Sequence, residues 1–366
     1  MTQRADIPTP ALILDLEAFE RNLAKMAAHC AANGLALRPH AKTHKSADIA
    51  KAQIKAGAVG VCCAKLAEAE ALAPEGIEDI LLTSPIVTDH SHRRAVALAQ
   101  KIKRLAVTVD HPDVAARLAE TASNAGITLP VLVDLNVGTM RTGILPGQLS
   151  TALAQQVDAA PSLIFEGFQA YAGHLMHLAT KQERADGNKD AMAQMDVAIK
   201  GAQAAGLNPT ILTGGGTGTY NIEPETGVLN ELQAGSYIFM DKEYGDVAGD
   251  EWQDIAFEPA LFIDTTVISA NNPGFVTTDA GFKSFAMDGP KPALYQGIEG
   301  AKYFFMGDEH GGITVPEGMD QLAPGTRFAT IVPHCDPTVN LYDTYHCVRG
   351  DKLEAEWPVT ARGKSQ

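Results

Sequence analysis

The chain has 366 residues, of which 45% are hydrophobic and 20% are charged, and its formal net charge is −15. This composition is typical of a globular protein and excludes a largely disordered chain. An acidic surface repels nucleic acid and anionic lipid, so we expect a small-molecule partner, with no nucleic acid and no membrane. The first six residues lack the apolar core of a signal peptide, and no stretch reaches the roughly 20 apolar residues that span a bilayer. We therefore expect a cytoplasmic protein.

The five cysteines do not indicate a disulfide framework. Their number is odd, their spacing is irregular, and two of them are adjacent in an apolar run. We expect buried free thiols at Cys30, Cys62, Cys63, Cys335 and Cys347.

The amino-terminal two-thirds of the chain alternates short apolar runs with segments of helical periodicity. Asp15 can cap a helix that runs to about Ala32 and carries apolar residues three or four apart. Eight apolar runs follow, and a helix-like segment separates each from the next except for the last pair. The predicted strands are 36–38, 59–63, 80–83, 105–109, 131–134, 165–168, 210–213 and 231–233. Eight such strands favour an α/β fold of the TIM-like (β/α)8 barrel type over an open doubly wound sheet, which gives similar local patterns.

Beyond Tyr244 the chain changes to β-forming runs that are broken by glycine, proline and asparagine. The runs are 261–270, 274–280, 303–306, 326–332, 340–348 and 353–359. They predict an all-β domain at the carboxyl terminus. We expect a barrel domain over 11–250 and a β-domain over 251–366, which residues 1–10 can join.

One lysine lies shortly after the end of the first predicted strand. Lys42 lies in the run PHAKTHK. A lysine amine becomes a nucleophile toward an aldehyde cofactor when burial or neighbouring cations lower its pKa. Arg38, His40, His44 and Lys45 can supply such cations. Lys42 is therefore our candidate for a Schiff-base lysine, and a solvated surface lysine is the alternative.

Further polar residues follow the later strands, where barrel enzymes place their active sites. Arg141 follows the fifth strand, and Tyr171 and His177 follow the sixth. The run GGGTGT at 214–219 follows the seventh strand, and GSY at 235–237 follows the eighth. Arg141 can hold a phenolate or carboxylate oxygen with its planar donor fork, or it can be a rim arginine paired with a neighbouring acid.

The glycine run is the candidate phosphate site. Glycine lets backbone N–H groups close around an anion, and Thr217 or Thr219 can add a hydroxyl donor. A tight turn is the alternative explanation of these glycines.

A histidine and an aspartate stand two residues apart near the carboxyl terminus. In an extended chain His334 and Asp336 share a face, while Cys335 points to the other. An imidazole and a carboxylate can hold Mn²⁺, Mg²⁺ or Zn²⁺, with water or substrate at the remaining positions. Turn-forming residues with no metal are the alternative.

Eight runs follow one another along the chain: PHAKTHK, VGVCC, DLNVGTMRTG, FQAYAGHLMH, GGGTG, LQAGSYIFMD, DEHG and HCDPTVN. In this order the chain resembles the D-threonine aldolase and D-serine dehydratase family of alanine-racemase-like pyridoxal phosphate enzymes. The resemblance extends from about Thr9 to Gly363. It implies a pyridoxal phosphate barrel followed by a β-domain, and homodimers whose active sites lie near the subunit interface.

The resemblance also implies roles for single residues. Lys42 matches the lysine that binds the cofactor covalently, Arg141 the arginine at its phenolic oxygen, and His177 the base that acts on the substrate hydroxyl. The metal pair matches His334 and Asp336. Further cofactor-binding positions implied by the resemblance are Tyr171, Gly215, Gly216, Thr217, Gly218, Ser236 and Tyr237.

Two positions depart from the pattern of the family. Ala64 stands where relatives commonly have a glutamine, and Thr142 replaces a cysteine that many aldolase members have. The role of the glutamine side chain near the cofactor is therefore open in this chain.

The activity implied is a retro-aldol cleavage of the Cα–Cβ bond of D-3-hydroxy amino acids of the D-threonine type, giving glycine and an aldehyde. Dehydratase members usually present His-x-Cys, whereas this chain presents His-x-Asp, as the aldolases do. The alternatives are dehydration of D-serine or 3-hydroxyaspartate, and cleavage of 3-hydroxy-D-aspartate. Two other classes are a pyridoxal phosphate carrier without catalysis, which would lack the β-domain, and a metal-dependent hydrolase in which Lys42 binds a substrate anion.

Overall fold

The computed structural model describes residues 2–247, 255, 257–295, 298–320 and 322–366. They divide into two units. The barrel unit comprises Met26–Lys42, Ile49–Gly235 and Gly363–Gln366. The sheet unit comprises the described residues of Met1–Lys25, Thr43–Asp48 and Ser236–Arg362.

Strands and helices are numbered in chain order. The strands are β1 (Ala11–Asp15), β2 (Ala36–Leu37), β3 (Val61–Cys63), β4 (Asp79–Leu82), β5 (Arg104–Val109), β6 (Leu129–Leu135), β7 (Leu163–Ala170), β8 (Ile211–Gly214), β9 (Glu231–Leu232), β10 (Leu261–Ser269), β11 (Phe275–Thr278), β12 (Ala293–Tyr295), β13 (Tyr303–Phe305), β14 (Gly311–Thr314), β15 (Arg327–Ile331), β16 (Thr344–Arg349) and β17 (Lys352–Pro358). The helices are α1 (Leu16–Ala32), α2 (Ala47–Lys55), α3 (Leu66–Leu72), α4 (Asp89–Ala99), α5 (Pro112–Asn124), α6 (Gln148–Asp158), α7 (Lys181–Ala204), α8 (Glu223–Thr226), α9 (Lys242–Val247) and α10 (Cys335–Val339).

The eight strands predicted for the amino-terminal part form one parallel sheet in the order β2, β9, β8, β7, β6, β5, β4, β3. Main-chain hydrogen bonds join its two ends, because Cys62 N donates to Pro39 O (2.9 Å) and Ala41 N donates to Cys62 O (2.8 Å). The prediction of a closed parallel barrel is confirmed.

Helices and the filled interior together bury both faces of these strands. Five of the six residues of β5 are buried, as in parallel sheets generally. One layer of the core takes a residue from each of four neighbouring strands: Cys62, Leu81, Ala106 and Leu132. On the outside, α5 begins with Pro112 and buries a single stripe that includes Val114 and Leu118.

The sheet unit is built on nine strands, of which seven follow the path β13, β14, β11, β10, β1, β16, β17, while β15 pairs with β10 and with β12. β1 lies inside this sheet, antiparallel to β10 and parallel to β16. Residues 11–15 therefore fold with the carboxyl-terminal strands, although the sequence analysis assigned them to the barrel. Their first four residues are all buried, which explains the unbroken apolar run ALIL.

Two further features bear on the expectations for the cysteines and for membrane-spanning helices. All five cysteines are free and buried, as predicted. Among the residues that the structure describes, none of the helices has the length and apolar character needed to cross a bilayer.

Candidate functional site

Lys42 lies at the carboxyl end of the first barrel strand. The extended chain continues past β2, since His40 N donates to Ala234 O (3.3 Å) and Ala41 N donates to Cys62 O (2.8 Å). Lys42 follows this last strand bond directly, and its side chain is half-buried. The neighbouring strand segments on both sides thus hold the two residues before Lys42, at the position where barrel enzymes act.

Arg38 does not give Lys42 the unbalanced positive charge that the sequence analysis assigned to it. Its guanidinium donates to Glu231 Oε2 (3.0 Å) and to Asp79 Oδ1 (2.6 Å). Both carboxylates stand at the first residue of a strand, β9 and β4. That part of the prediction was wrong, because a buried arginine requires carboxylate partners and finds them at the starts of the neighbouring strands.

Arg141 and Tyr171 come together beyond the ends of β6 and β7. The Arg141 guanidinium carbon lies 5.5 Å from the centroid of the Tyr171 ring, a cation–π distance. Thr139 fixes the two segments to each other, because its hydroxyl donates to Tyr171 O (2.7 Å) and accepts from Gly173 N (2.9 Å). Arg141 is exposed and Tyr171 is half-buried, so both can contact a ligand.

The sequence analysis missed Asp134, the next-to-last residue of β6. Its carboxylate accepts from Gln169 Nε2 (2.8 Å) and from the Thr142 hydroxyl (2.7 Å). Burial raises the pKa of Asp134 to about 6, although these two hydrogen bonds oppose the rise. The signal in the sequence was a single acid inside the apolar run VLVDL. Thr142, noted as a departure from the family pattern, is thus a hydrogen-bond donor to a buried acid.

The glycine run after β8 packs so closely that side chains are excluded. A Cβ on Gly214 would lie 2.0 Å from Ala170 O, one on Gly216 would lie 2.6 Å from Met176 Sδ, and one on Gly218 would lie 2.5 Å from Met176 O. Gly215 has a φ of +66°. The loop is buried, and its backbone approaches its neighbours more closely than any other residue type allows.

The two threonines of this loop differ in their surroundings. The Thr219 hydroxyl donates to Glu223 Oε1 (2.6 Å), so it is already committed to a buried carboxyl group. Thr217 is also buried, and it stays the hydroxyl candidate for a phosphate. A buried loop of glycines with one adjacent hydroxyl fits an anionic group such as the phosphate of pyridoxal phosphate.

The remaining predicted residues have different exposures. His177, after β7 in the barrel unit, is exposed. Ser236 and Tyr237 belong to the sheet unit and are buried. Their cofactor contacts therefore stay predictions.

His334 and Asp336 lie in the sheet unit, but not on one extended strand. β15 ends at Ile331, His334 is the residue before α10, and Asp336 is the second residue of that helix. The prediction that an extended chain presents both on one face was wrong, because the chain turns into a helix at Cys335. Asp241 holds this turn, since its carboxylate accepts from Cys335 N (2.9 Å) and from the Cys335 thiol (2.9 Å).

His334 is surrounded by carboxylates. Its Nδ1 lies 2.9 Å from Asp288 Oδ2 and 3.8 Å from Glu243 Oε2. Burial alone would lower the pKa of His334, but the charge of Asp336 and the hydrogen bond to Asp288 raise it overall. Nδ1 faces a carboxylate, so Nε2 is the nitrogen that can ligate a metal, as in many histidine metal sites.

An imidazole beside a carboxylate fits a divalent ion chemically. Within the described ranges, however, no group of three or more His, Cys, Asp or Glu side chains is arranged so that it could hold a metal ion. The metal role of His334 and Asp336 therefore stays a prediction.

Comparisons with known proteins agree with this architecture. Residues 14–243 match the family model "Alanine racemase, N-terminal domain", and residues 260–348 match "Putative serine dehydratase domain". A 3-hydroxy-D-aspartate aldolase of Paracoccus denitrificans (strain Pd 1222) is 39% identical over 364 residues, which cover 98% of this chain and 93% of the relative. The chain belongs to the D-threonine aldolase and D-serine dehydratase family. The resemblance in the sequence analysis is confirmed.

Other members of the D-threonine aldolase and D-serine dehydratase family are similar to this chain over most of their length. A D-threonine aldolase of Arthrobacter sp is 38% identical, with 99% of this chain and 94% of the relative covered. The crystal structure of D-threonine aldolase from Filomicrobium marinum has a TM-score of 0.95 and 36% identity, covering 99% of this chain and 98% of that one. A D-threo-3-hydroxyaspartate dehydratase of Delftia sp. (strain HT23) is more distant, at 28% identity over 289 residues. Within the family, the chain thus stands nearer to these aldolases than to this dehydratase.

Proposed function

We propose that this chain is an aldolase that depends on pyridoxal phosphate and a divalent metal and cleaves D-3-hydroxy amino acids to glycine and an aldehyde. The observation that carries the proposal is the position of Lys42, which follows the first barrel strand in a chain 39% identical to an aldolase over 98% of its length. The side chain beyond the β-carbon can be that of threonine or of 3-hydroxyaspartate.

Several residues of the barrel unit would hold the cofactor. Lys42 would bind its aldehyde carbon covalently, Arg141 would donate to its phenolic oxygen, and Tyr171 would line its ring. Its phosphate would lie at Gly215–Gly218, with Ser236 and Tyr237 as further contacts. When bound, pyridoxal phosphate supplies an electron sink for the electrons of the broken Cα–Cβ bond.

The proton on the substrate hydroxyl has to leave before the bond breaks. His177 is exposed and can accept this proton on a ring nitrogen. His334 and Asp336 would hold Mn²⁺, Mg²⁺ or Zn²⁺, whose Lewis acidity lowers the pKa of a bound hydroxyl. The Cα–Cβ electrons then remain on Cα, which takes up a proton to give glycine, while Cβ leaves as the aldehyde carbon.

A dehydratase would use the same cofactor-binding and metal-binding residues to break a different bond. The second ligand is the hard oxygen of Asp336 rather than a soft thiolate, and Cys335 cannot replace it because its thiol donates to Asp241. This favours the aldolase. The proposal also includes a homodimer, which the family resemblance implies and which a measurement of mass in solution tests.

The deciding experiment combines a spectrum with product analysis. The purified protein should absorb as a bound pyridoxal phosphate and should release glycine and an aldehyde from a panel of D-3-hydroxy amino acids. Lys42→Ala should lose both properties, whereas Lys51→Ala, a change at an exposed lysine of α2, should keep them. A protein without the chromophore, or one that forms ammonia and a keto acid instead, contradicts the proposal.

A further inference from the structure

The loop that carries Arg141 is tied to the end of its own strand. Asn136 N donates to Ile144 O (3.0 Å), and Ile144 N donates to Asp134 O (2.9 Å). The chain therefore leaves β6 and returns beside it within a few residues. Arg141 lies in the part that projects between these two bonds.

The projecting part has a defined shape. Asn136 Oδ1 accepts from Gly138 N (3.1 Å) and from Met140 N (3.2 Å). Gly138, Met140 and Gly143 all have positive φ values, of 123°, 56° and 100°. For methionine this left-handed conformation is unfavourable, so the surrounding hydrogen bonds must hold it.

The residues just after Arg141 are held by two acids of the barrel. The Thr142 hydroxyl donates to Asp134 Oδ2 (2.7 Å), and Gly143 N donates to Asp110 Oδ2 (3.0 Å). Asp134 is only 3% exposed, and its other oxygen accepts from Gln169 Nε2 (2.8 Å). Asp110 follows β5 and Asp134 is the next-to-last residue of β6, so the barrel strands fix the base of the loop.

Keeping an acid at this buried position is unfavourable in itself, because burial penalises the charged carboxylate. An apolar residue would suit the interior of β6 better. Asp134 does, however, place an acceptor where Thr142 can reach it, and its negative charge attracts Arg141. This combination indicates a positioning role for the acid.

We propose that Asp134 and Thr142 form a clamp that holds Arg141 against the phenolic oxygen of pyridoxal phosphate. Asp134 and Thr142 are positioning residues, and Arg141 is the residue that touches the cofactor. The inference rests on the proposed function, since it assigns the contact between Arg141 and the cofactor.

The clamp has a spectroscopic consequence. A guanidinium beside the phenolic oxygen stabilises negative charge there, so it lowers the pH at which the bound chromophore loses its proton. When the clamp is released, the midpoint of this absorption change should move to higher pH. The affinity for pyridoxal phosphate should fall about tenfold, the effect of losing one hydrogen bond to a charged group.

The test compares Thr142→Val with Thr142→Ser, which keeps the hydroxyl. Thr142→Val should raise the midpoint, weaken cofactor binding and speed amide hydrogen exchange in residues 136–144. Thr142→Ser should behave like the unchanged protein. Asp134→Asn tests the residue that accepts the hydrogen bond from Thr142. If this variant does not fold, Thr142→Val still tests the clamp.

Two results would overturn the inference. In the first, Thr142→Val matches Thr142→Ser in midpoint, affinity and exchange. In the second, Thr142→Ser differs from the unchanged protein in midpoint, affinity and exchange. If the unchanged protein never acquires a chromophore, the proposed function and the cofactor contact both fail, and hydrogen exchange alone then decides whether the clamp orders the loop.

Discussion

Glu223 is a buried acid beneath the glycine loop, and its ionisation should be visible in the stability of the protein. It is 2% exposed and accepts from the Thr219 hydroxyl. Burial raises its pKa from 4.5 to about 7, although the hydrogen bond from Thr219 and the nearby Asn188 side chain oppose the rise. Between these two pH values the unfolded chain has lost the proton while the folded protein keeps it, so the free energy of unfolding falls as the pH rises.

We expect Glu223→Gln to remove this pH dependence. At about pH 5 the variant and the unchanged protein should differ little, whereas at about pH 7.5 the unchanged protein should have lost up to about 3 kcal/mol relative to the variant. Urea unfolding at the two pH values measures the difference. A constant difference between the proteins across this range would mean that Glu223 ionises as it does in the unfolded chain.

The metal pair yields a second prediction at this scale. His334 stands two residues before Asp336, and its imidazole also lies beside Asp288 and Glu243. We therefore expect His334→Ala to weaken Mn²⁺ binding by about tenfold or more. Removal of the ion with a chelator should abolish turnover but leave the cofactor spectrum, because the ion is assigned to the substrate hydroxyl. His346→Ala, at a histidine beside Glu356, is the matched control. Full turnover of metal-free protein would refute the assignment.

The sequence locates single residues only as well as it locates the strands that carry them. Lys42, Arg141 and Tyr171 follow barrel strands because each strand is a clear apolar run, and their proposed roles stay predictions. The partners of Arg38 were not predictable, since Glu231 is 193 positions away in the chain. Asp134 was missed because an acid inside a short apolar run looks like an interruption until its donors are known. Glu223 was missed because it stands in the polar run NIEPETG, where an acid is expected at the surface.

At the scale of elements, alternating charges connect the starts of several barrel strands. Arg38 joins Glu231 of β9 to Asp79 of β4, Arg104 of β5 also contacts Asp79, and Arg104 contacts Glu166. The side chains of Arg38 and Glu231 are only 5% and 6% exposed. Burying these charged side chains costs free energy, which their mutual ion pairs offset. The loss of one partner would therefore leave another charge buried without compensation.

We expect Arg38→Met to lower the free energy of unfolding by roughly 3 to 5 kcal/mol, because it leaves Glu231 buried without its partner. Arg21→Met is the control, since the pair of Arg21 with Glu258 is 56% and 51% exposed and should contribute less than about 1 kcal/mol. Denaturant unfolding compares the two variants. Equal losses would show that burial does not decide the strength of these pairs.

Elements were predictable where their pattern is long and regular. The eight barrel strands follow from short apolar runs, most of them separated by helix-like segments, whereas the predicted strand 340–348 begins only at Thr344. The turn into α10 before it was missed because VPHCDPTVN carries no helical periodicity, and a side chain distant in sequence, Asp241, holds the amino terminus of that helix.

At the scale of the whole molecule, the sheet unit is assembled from three separate stretches of chain. β1 lies between β10 and β16 and pairs with both, so among the described residues the sheet path connects β10 to β16 through β1. The stretch Thr43–Asp48 also contributes, because the Tyr345 hydroxyl donates to His44 O (2.6 Å) and Ala361 N donates to Lys45 O (2.8 Å). The order of residues along the chain therefore does not give the boundary of this unit, which is why a simple division near residue 250 differs from it.

A fragment of residues 236–366 should consequently fail to form a stable sheet, even though it contains all strands from β10 onward. Without β1, the edges of β10 and β16 keep unpaired backbone groups and lose the buried side chains of Ala11–Leu14. Circular dichroism should show no cooperative thermal unfolding of this fragment, and joining residues 2–25 to it by a flexible linker should restore part of the transition. Cooperative unfolding of the bare fragment would show that the carboxyl-terminal strands form their own core and that β1 only covers an edge.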